Sequence, residues 1–232
     1  MRWTSHPGRT LIFVLLLALI PGATVAQTSG TPESSPEAPQ SIWQTLGGVE
    51  EAIVRTWGDV PPPGTPVPDG PVLRFVTGLI VQFDDEDSAA SSLEPLREWV
   101  LASLQVNQID VELTQQVGEV ENLGDSATVV RATGTSGENP LTIAVVVVRD
   151  GDRLLAVGAS VLAEEDLLPI IQAVVSVMLE REPGGDVERD EMGRFTGGNW
   201  SIFPEEDDPV LEGMRRQGDL PIYQPVEATP ES

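Results

Sequence analysis

Carboxylates, arginines, hydroxyl groups and one tyrosine are the side chains with which this sequence could carry out chemistry. Its 232 residues include no cysteine and no lysine, and the single histidine, His6, lies near the N-terminus. The rest of the chain therefore cannot supply a cysteine nucleophile, a Ser-His-Asp triad, a histidine metal site or a lysine Schiff base. A pair of carboxylates could still hydrolyse a substrate, but the sequence does not show that any two of the 37 acidic residues converge. We therefore assign no catalytic residue and no cofactor.

The first acidic cluster, Asp84-Asp85-Glu86-Asp87, offers the hard oxygen ligands that Ca²⁺ prefers. Asp84, Asp85 and Asp87 are its candidate ligands, although the cluster lacks the ligand spacing and central glycine of an EF-hand loop. We favour a helix start instead, because acidic side chains stabilise the positive end of the helix dipole. The cluster therefore predicts no metal site. A second acidic run, Glu205–Asp208, is interpreted as solvated charge.

Three aromatic residues, Phe195, Trp200 and Phe203, lie in a C-terminal stretch that is otherwise rich in acids, glycine and proline. Aromatic side chains are unusual in disordered tails. One interpretation, which we favour, is that the tail docks back across its own domain and covers a sheet face or edge. The alternative is that these residues anchor a partner protein, because buried aromatic residues dominate interfaces. They are therefore our candidate partner-binding residues.

Residues 1–26 show the features of a secretory signal peptide in their usual order. Arg2 and Arg9 give a positive start, Leu11–Ile20 is an apolar run, and Ala23–Ala26 supplies the small residues that precede a cleavage site. The run is ten residues long, whereas a membrane-spanning helix needs about 20. We therefore expect cleavage after Ala26 and an extracellular protein with no stable membrane span. An uncleaved anchor is the less favoured alternative.

The negative charge of the chain restricts its partners. The formal net charge is −24, and loss of residues 1–26 would remove two arginines and no acid, which makes it −26. Such a charge opposes binding to nucleic acid, because nucleic acid is a polyanion. We expect an unidentified protein or a small molecule as the partner, and no nucleic acid.

Composition divides the chain into four parts. Residues 27–40 are rich in threonine, serine, proline and glutamate and predict a disordered linker after the signal peptide. Residues 41–181 carry the apolar patterns of one domain, which includes a proline-rich loop at residues 59–71. Residues 182–232 predict an acidic, disordered tail rich in glycine and proline.

The segment Leu141–Val161 is the clearest structural signal in the domain. It predicts a β-hairpin, because Asp150-Gly151 can adopt the positive φ angles of a tight turn. Leu141–Val148 is apolar on both faces, so it should lie inside a sheet. Apolar residues at spacings of three and four predict a helix over Ile42–Trp57. The whole pattern predicts an α+β fold, with a mostly antiparallel sheet of about five strands packed against two or three helices.

Residues 72–181 contain a succession of sequence features that is also found in a known type of domain. They are a strand that ends at Phe83, the helix start Ser88-Ala89-Ala90, the turn Leu123-Gly124-Asp125 and the run Val147–Asp152. The series resembles secreted sensor-like domains and lipoproteins of actinobacteria, some of them related in fold to PsbP-like proteins. The resemblance implies an antiparallel sheet flanked by helices, with a role in binding a ligand or partner and no catalysis. It transfers no functional residue.

These observations predict a secreted, non-enzymatic binding or sensor-like protein. One alternative is a carboxylate-based hydrolase, which would need a cleft with two acids. Another is a structural protein that self-associates, as a homodimer, through Leu167–Leu179. That segment predicts a helix with apolar residues over more than half its surface, so it should be either sandwiched inside the fold or part of a partner contact.

Overall fold

Segments rich in valine, isoleucine and threonine form most of the structure, because β-branched side chains pack well on a pleated surface. The computed structural model describes residues 42–59, 74–106, 113–136 and 139–223. Its helices and strands are α1 (Ile42–Thr45), β1 (Val49–Gly58), β2 (Phe75–Phe83), α2 (Glu86–Val106), β3 (Leu113–Glu119), β4 (Ser126–Ser136), β5 (Asn139–Asp150), β6 (Arg153–Val161), α3 (Leu168–Glu180), β7 (Gly184–Arg189), β8 (Phe195–Gly198) and β9 (Arg215–Tyr223). Two 3-10 helices, Asn199–Ile202 and Pro209–Leu211, lie between β8 and β9.

Seven strands form one sheet in the order β3-β4-β5-β6-β2-β1-β9, and every neighbouring pair is antiparallel. The predicted hairpin is confirmed, because β5 and β6 pair across a turn in which Gly151 has a φ of 58°. β5 lies between β4 and β6, as its two apolar faces predict. β7 and β8 form a separate two-stranded sheet. The α+β class and the antiparallel sheet are thus confirmed, but the sheet has more strands than the predicted five or so.

Each face of the seven-stranded sheet has its own apolar core and its own helix. On the α2 face, the helix residues Ala89, Leu96 and Val100 are buried with strand residues such as Leu79. On the α3 face, the buried helix residues are Ile171, Val174, Val175 and Met178. Strand residues alternate between the two faces, which explains why the central strands are apolar throughout.

The helix predicted over Ile42–Trp57 is wrong. The helix α1 ends at Thr45, and β1 begins at Val49 after Gly48, whose φ of 73° favours glycine. Ile53 and Trp57 belong to the α3-face core, whereas other β1 residues belong to the α2-face core. Because both faces of β1 are buried, Ala52, Ile53 and Val54 are apolar in succession, and the apolar residues of β1 also match a helical spacing.

The prediction of a disordered C-terminal tail is wrong for Gly184–Tyr223. This stretch contains β7, β8, β9 and both 3-10 helices, and β9 pairs with β1 in the main sheet. Its scattered apolar residues are buried on the α3 face; they are Trp200, Ile202, Phe203, Leu211 and Met214. Burial of these side chains stabilises the folded stretch, although its overall composition is polar.

The predicted signal peptide, the linker at residues 27–40, most of the proline-rich loop and residues 224–232 lie outside the described residues. In the part that the structure describes, no helix is both long enough and apolar enough to cross a membrane.

Candidate functional site

A cleft opens on the α3 face of the sheet, beside the segment that leads into α3. Its volume is about 950 Å³, at the upper end of the range of about 300–1,000 Å³ that is usual for small-molecule sites. The helix α3 packs over β5 and β6, and the cleft extends beyond it toward β4 and β3. We call it the threonine cleft. Its lining residues are Thr114, Arg131, Thr133, Gly134, Thr135, Pro140, Leu141, Thr142, Ile143, Ala144, Glu164, Glu165, Asp166 and Leu167.

Three threonines form a cross-strand row on the floor of the cleft. Thr114 of β3 is in register with Thr133 of β4, which is in register with Thr142 of β5. Residues directly opposite each other point to the same face, so these hydroxyl groups lie side by side. The Thr142 hydroxyl donates a hydrogen bond to the backbone oxygen of Ala163 over 2.7 Å. This bond ties the floor of the cleft to the segment at its rim.

Arg131 lies two residues before Thr133 on β4, on the same face, and its side chain is partly buried. No ion pair involves Arg131 among the described residues. Eight other arginines have one; they are Arg55, Arg74, Arg97, Arg149, Arg153, Arg181, Arg194 and Arg216. A guanidinium carries five donors and keeps its charge at all relevant pH values. Arg131 therefore presents to the cleft a positive charge that no described acidic side chain compensates.

Three consecutive carboxylates form the opposite rim of the cleft, just before α3. Glu165 forms an ion pair with Arg74 at 2.9 Å. Asp166 accepts a hydrogen bond from the backbone N–H of Leu168 over 3.1 Å. Glu164 is exposed and has no ion pair within the described ranges. Among the described charged residues of the cleft, Arg131 on the floor and Glu164 at the rim are thus the two that have neither an ion pair nor a side-chain hydrogen bond.

The groups in the threonine cleft are suited to binding a polar ligand. Threonine hydroxyls donate and accept hydrogen bonds, the guanidinium donates them and a carboxylate accepts them. Sequence reasoning missed this site. The alternation of Arg131, Thr133 and Thr135 with buried residues is its only local signal, and it also fits an ordinary solvent-exposed strand face.

The acidic cluster at Asp84–Asp87 lies where α2 begins. The Asp85 carboxylate accepts a hydrogen bond from the backbone N–H of Ser88 over 2.6 Å. This hydrogen bond lowers the pKa of Asp85 below its usual value of 3.8, and it is the geometry of a helix N-cap. Asp84 and Asp87 are exposed. Within the described ranges, no three acidic residues are grouped so that they could hold a metal ion.

The aromatic residues of the C-terminal stretch pack inside their own chain. Trp200 is 1% exposed and Phe203 is fully buried, while Phe195 is partly buried and stacks on Trp200 with ring centroids 4.5 Å apart. Phe203 lies on Gly78 of β2, where a Cβ atom would be only 2.8 Å from the ring. Trp200 and Phe203 are therefore core residues, in keeping with the interpretation that this stretch docks on its own domain, and they present no exposed aromatic surface to a partner.

A fully buried arginine, Arg55 of β1, lies beneath these rings. Its Nε and Nη2 donate to the two carboxylate oxygens of Asp219 on β9, over 2.7 and 3.1 Å. Its Nη1 donates to Glu205 over 3.2 Å, and Nη2 also donates to the backbone oxygen of Phe195 over 3.0 Å. The nearly buried Arg216 donates hydrogen bonds to the carboxylates of Asp219 and Glu205. We call Arg55, Glu205, Arg216 and Asp219 the Arg55 clasp, and it joins β1 to β9 and to the segment between the two 3-10 helices.

The second acidic run, Glu205–Asp208, is largely solvated, as predicted, because Glu206 and Asp207 are exposed and the Glu205 side chain is 44% exposed, but three of its carboxylates also form ion pairs. Glu205 belongs to the Arg55 clasp, and Asp208 forms an ion pair with Arg181 at 2.8 Å. Glu206 pairs with Arg194 at 3.3 Å. The partner arginines are 11 to 150 residues away in the sequence, so local charge density did not indicate these ion pairs.

Comparisons with known proteins identify no family. No family model and no curated protein matches the chain. Among solved structures, it is similar to the crystal structure of a Pseudomonas aeruginosa protein of unknown function that is described as a candidate regulator. The identity is 14% over 57% of this chain and 84% of that chain, with a TM-score of 0.31.

Proposed function

We propose that this chain is an exported, non-catalytic binding protein whose ligand occupies the threonine cleft. The observation that carries this proposal is Arg131, a partly buried arginine without an ion pair among the described residues, beside three threonines in register. A partly buried charge without a counter-charge is unfavourable on its own, and a bound ligand with an acceptor group removes that cost. The volume of the cleft lies in the range of small-molecule sites, and its converging polar groups could fix the orientation of a ligand.

The sequence supports both export and the absence of catalysis. Residues 1–26 have the features of a signal peptide, and no histidine, cysteine or lysine follows them. The resemblance to secreted actinobacterial sensor-like domains also supports a binding role. A carboxylate hydrolase has less support, because Glu165 and Asp166 are already engaged by Arg74 and by a backbone N–H. Self-association through α3 has less support, because its main apolar residues are buried within the chain.

A thermal-shift screen tests the proposal. The protein that begins at Gln27 is melted with a panel of amino acids, short peptides, sugars and carboxylic acids. A ligand at 100 times its Kd stabilises the folded state by about 2.7 kcal/mol, which raises the Tm of a protein of this size by roughly 5–10 °C. The same panel is applied to Arg131→Gln and to a matched control, Arg215→Gln, which alters an exposed arginine without an ion pair in the described part of the chain.

The proposal expects a compound that stabilises the wild type and Arg215→Gln but not Arg131→Gln. It is contradicted if no compound stabilises the wild type, or if every stabilising compound acts equally on Arg131→Gln.

A further inference from the structure

We infer that the ligand of the threonine cleft is a short peptide with free termini, whose carboxylate binds Arg131 and whose ammonium group binds Glu164. This inference rests on the proposed function and names the class of its ligand. It follows from the two cleft charges that have no ion pair among the described residues, from the distance between them and from the charge of the whole chain.

Arg131 is suited to a carboxylate. The planar guanidinium can donate two parallel hydrogen bonds to the two oxygens of one carboxylate. In the described part of the chain, no acidic side chain competes for it by forming an ion pair. The neighbouring threonine row adds hydroxyl donors beside the same group.

Glu164 is suited to an ammonium group. Its two neighbours are occupied, because Glu165 pairs with Arg74 and Asp166 accepts the backbone N–H of Leu168. Glu164 is therefore the rim carboxylate that remains for a ligand cation. An ammonium group has three donors and no acceptor, and it complements a carboxylate that is otherwise surrounded by water.

The spacing of the two charges fits a peptide of a few residues. Arg131 and Thr133 are separated by about 7 Å along β4, and β5 lies about 4.8 Å to the side. Ala163, next to Glu164, is held to Thr142 of β5 by the 2.7 Å hydrogen bond. The backbone positions of the two charged residues are thus on the order of 10–15 Å apart. An extended peptide spans about 3.5 Å per residue, so two to four residues place their termini within reach of both side chains.

Two hydroxyls of the row, those of Thr133 on β4 and Thr142 on β5, lie on the path from Arg131 on β4 to the rim beside Thr142 and match the middle of such a peptide. Each peptide unit offers one N–H donor and one C=O acceptor, and a threonine hydroxyl can satisfy either. Thr114 and Thr133 are exposed, so their hydroxyls are open to a ligand.

The net charge of the protein selects a zwitterion over an anion. At −24, the chain repels a free anion at long range. A peptide with both termini free has no net charge and avoids this repulsion, while each terminus meets an opposite charge inside the cleft. A phosphate ester or a polycarboxylate satisfies Arg131 but is repelled by Glu164 and by the whole molecule.

Calorimetric titrations with three related probes test the inference. The probes are trialanine, N-acetyl-trialanine, which lacks the ammonium group, and trialanine amide, which lacks the carboxylate. We expect trialanine to bind and its amide to bind at least about tenfold more weakly, because the amide loses the paired hydrogen bonds to the partly buried Arg131. The acetylated probe should bind about two- to fivefold more weakly, because Glu164 is exposed and an exposed ion pair is weak.

Two variants assign each terminus to its residue. In Arg131→Gln, trialanine and its amide should bind alike, while the acetylated probe remains weaker. In Glu164→Gln, trialanine and the acetylated probe should bind alike, while the amide remains weaker. Arg215→Gln and Glu180→Gln, which alter exposed residues outside the cleft, should preserve the wild-type order of affinities.

The inference is overturned if trialanine does not bind the wild type, or if either blocked probe binds as well as trialanine. It is also overturned if both variants keep the wild-type order. None of these results decides the proposed function, which the thermal-shift screen tests separately. In that screen, a non-peptide compound whose stabilising effect requires Arg131 would support ligand binding in the threonine cleft and contradict the peptide as its ligand.

Discussion

Removal of the Asp219 carboxylate should destabilise the protein far more than removal of an exposed carboxylate. Asp219 accepts two hydrogen bonds from Arg55, and the two side chains are 2% and 0% exposed. Asp219→Ala would leave a guanidinium buried on β1 with only part of its charge compensated by Glu205. Breaking one partner of a buried ion pair costs about 3–5 kcal/mol, because the other charge stays desolvated. For a protein of this size, that loss lowers the Tm by roughly 6–20 °C.

The matched control is Glu94→Ala. Glu94 forms an ion pair with Arg97 within α2, with side chains 56% and 29% exposed. Exposed pairs contribute about 0–1 kcal/mol, so this variant should melt within a few degrees of the wild type. Chemical denaturation followed by circular dichroism gives the free energy of unfolding of each variant. Equal losses of less than about 1 kcal/mol in both variants would refute the reasoning.

A double-mutant cycle separates the Arg55–Asp219 interaction from other effects of the substitutions. Arg55→Met keeps most of the side-chain volume but leaves Asp219 without its two short hydrogen bonds. The double variant Arg55→Met/Asp219→Leu removes both charges, and apolar replacements of a buried pair are often tolerated. We expect the double variant to be more stable than the sum of the single losses predicts, by about 1 kcal/mol or more. Additive losses would show that the two residues do not stabilise the structure through each other.

Three further predictions concern a turn, a helix cap and the N-terminus. Gly124→Ala should lower the Tm more than Gly151→Ala: both glycines have positive φ, but only at Gly124 would a Cβ lie 2.4 Å from a backbone oxygen of β5. Equal losses in the two variants would count against this steric account. Asp85→Ala should lower the Tm at pH 7, and the difference should shrink as the pH falls below 3.8, because the hydrogen bonds that lower the pKa of Asp85 stabilise the fold only while it is ionised. Melting curves at pH 7 and pH 3 check this, and a difference that does not change with pH would contradict it. Mass spectrometry of the exported protein should find Gln27 as the first residue, whereas an intact N-terminus would contradict cleavage after Ala26.

The elements that could be predicted from the sequence are those with local signals. The hairpin of β5 and β6 has a turn dipeptide between two apolar strands, and α3 has a strong apolar pattern that follows the acidic segment Glu164–Asp166. The strand β1 was mistaken for a helix because both of its faces are buried. Burial of both faces is a tertiary property, and it removes the alternation by which an exposed strand is usually recognised.

The features that could not be predicted depend on contacts between distant parts of the chain. Arg55 and Asp219 are 164 residues apart, and neither residue differs locally from an ordinary surface charge. The same holds for Trp200 and Phe203, whose polar surroundings in sequence resemble a disordered tail. The threonine cleft arises from the register of β3, β4 and β5 and from the position of α3 beside them. Composition contains neither piece of information, which is why the candidate site emerges only from the structure.

The most direct test of ligand binding in the threonine cleft is an amide chemical-shift map, recorded while the compound that stabilises the protein most in the thermal screen is added. The largest shifts should fall at Thr114, Arg131 and Thr142, with little change at Asp85 on the opposite face. Shifts that cluster on the α2 face, or around the Arg55 clasp, would contradict the assignment of the site.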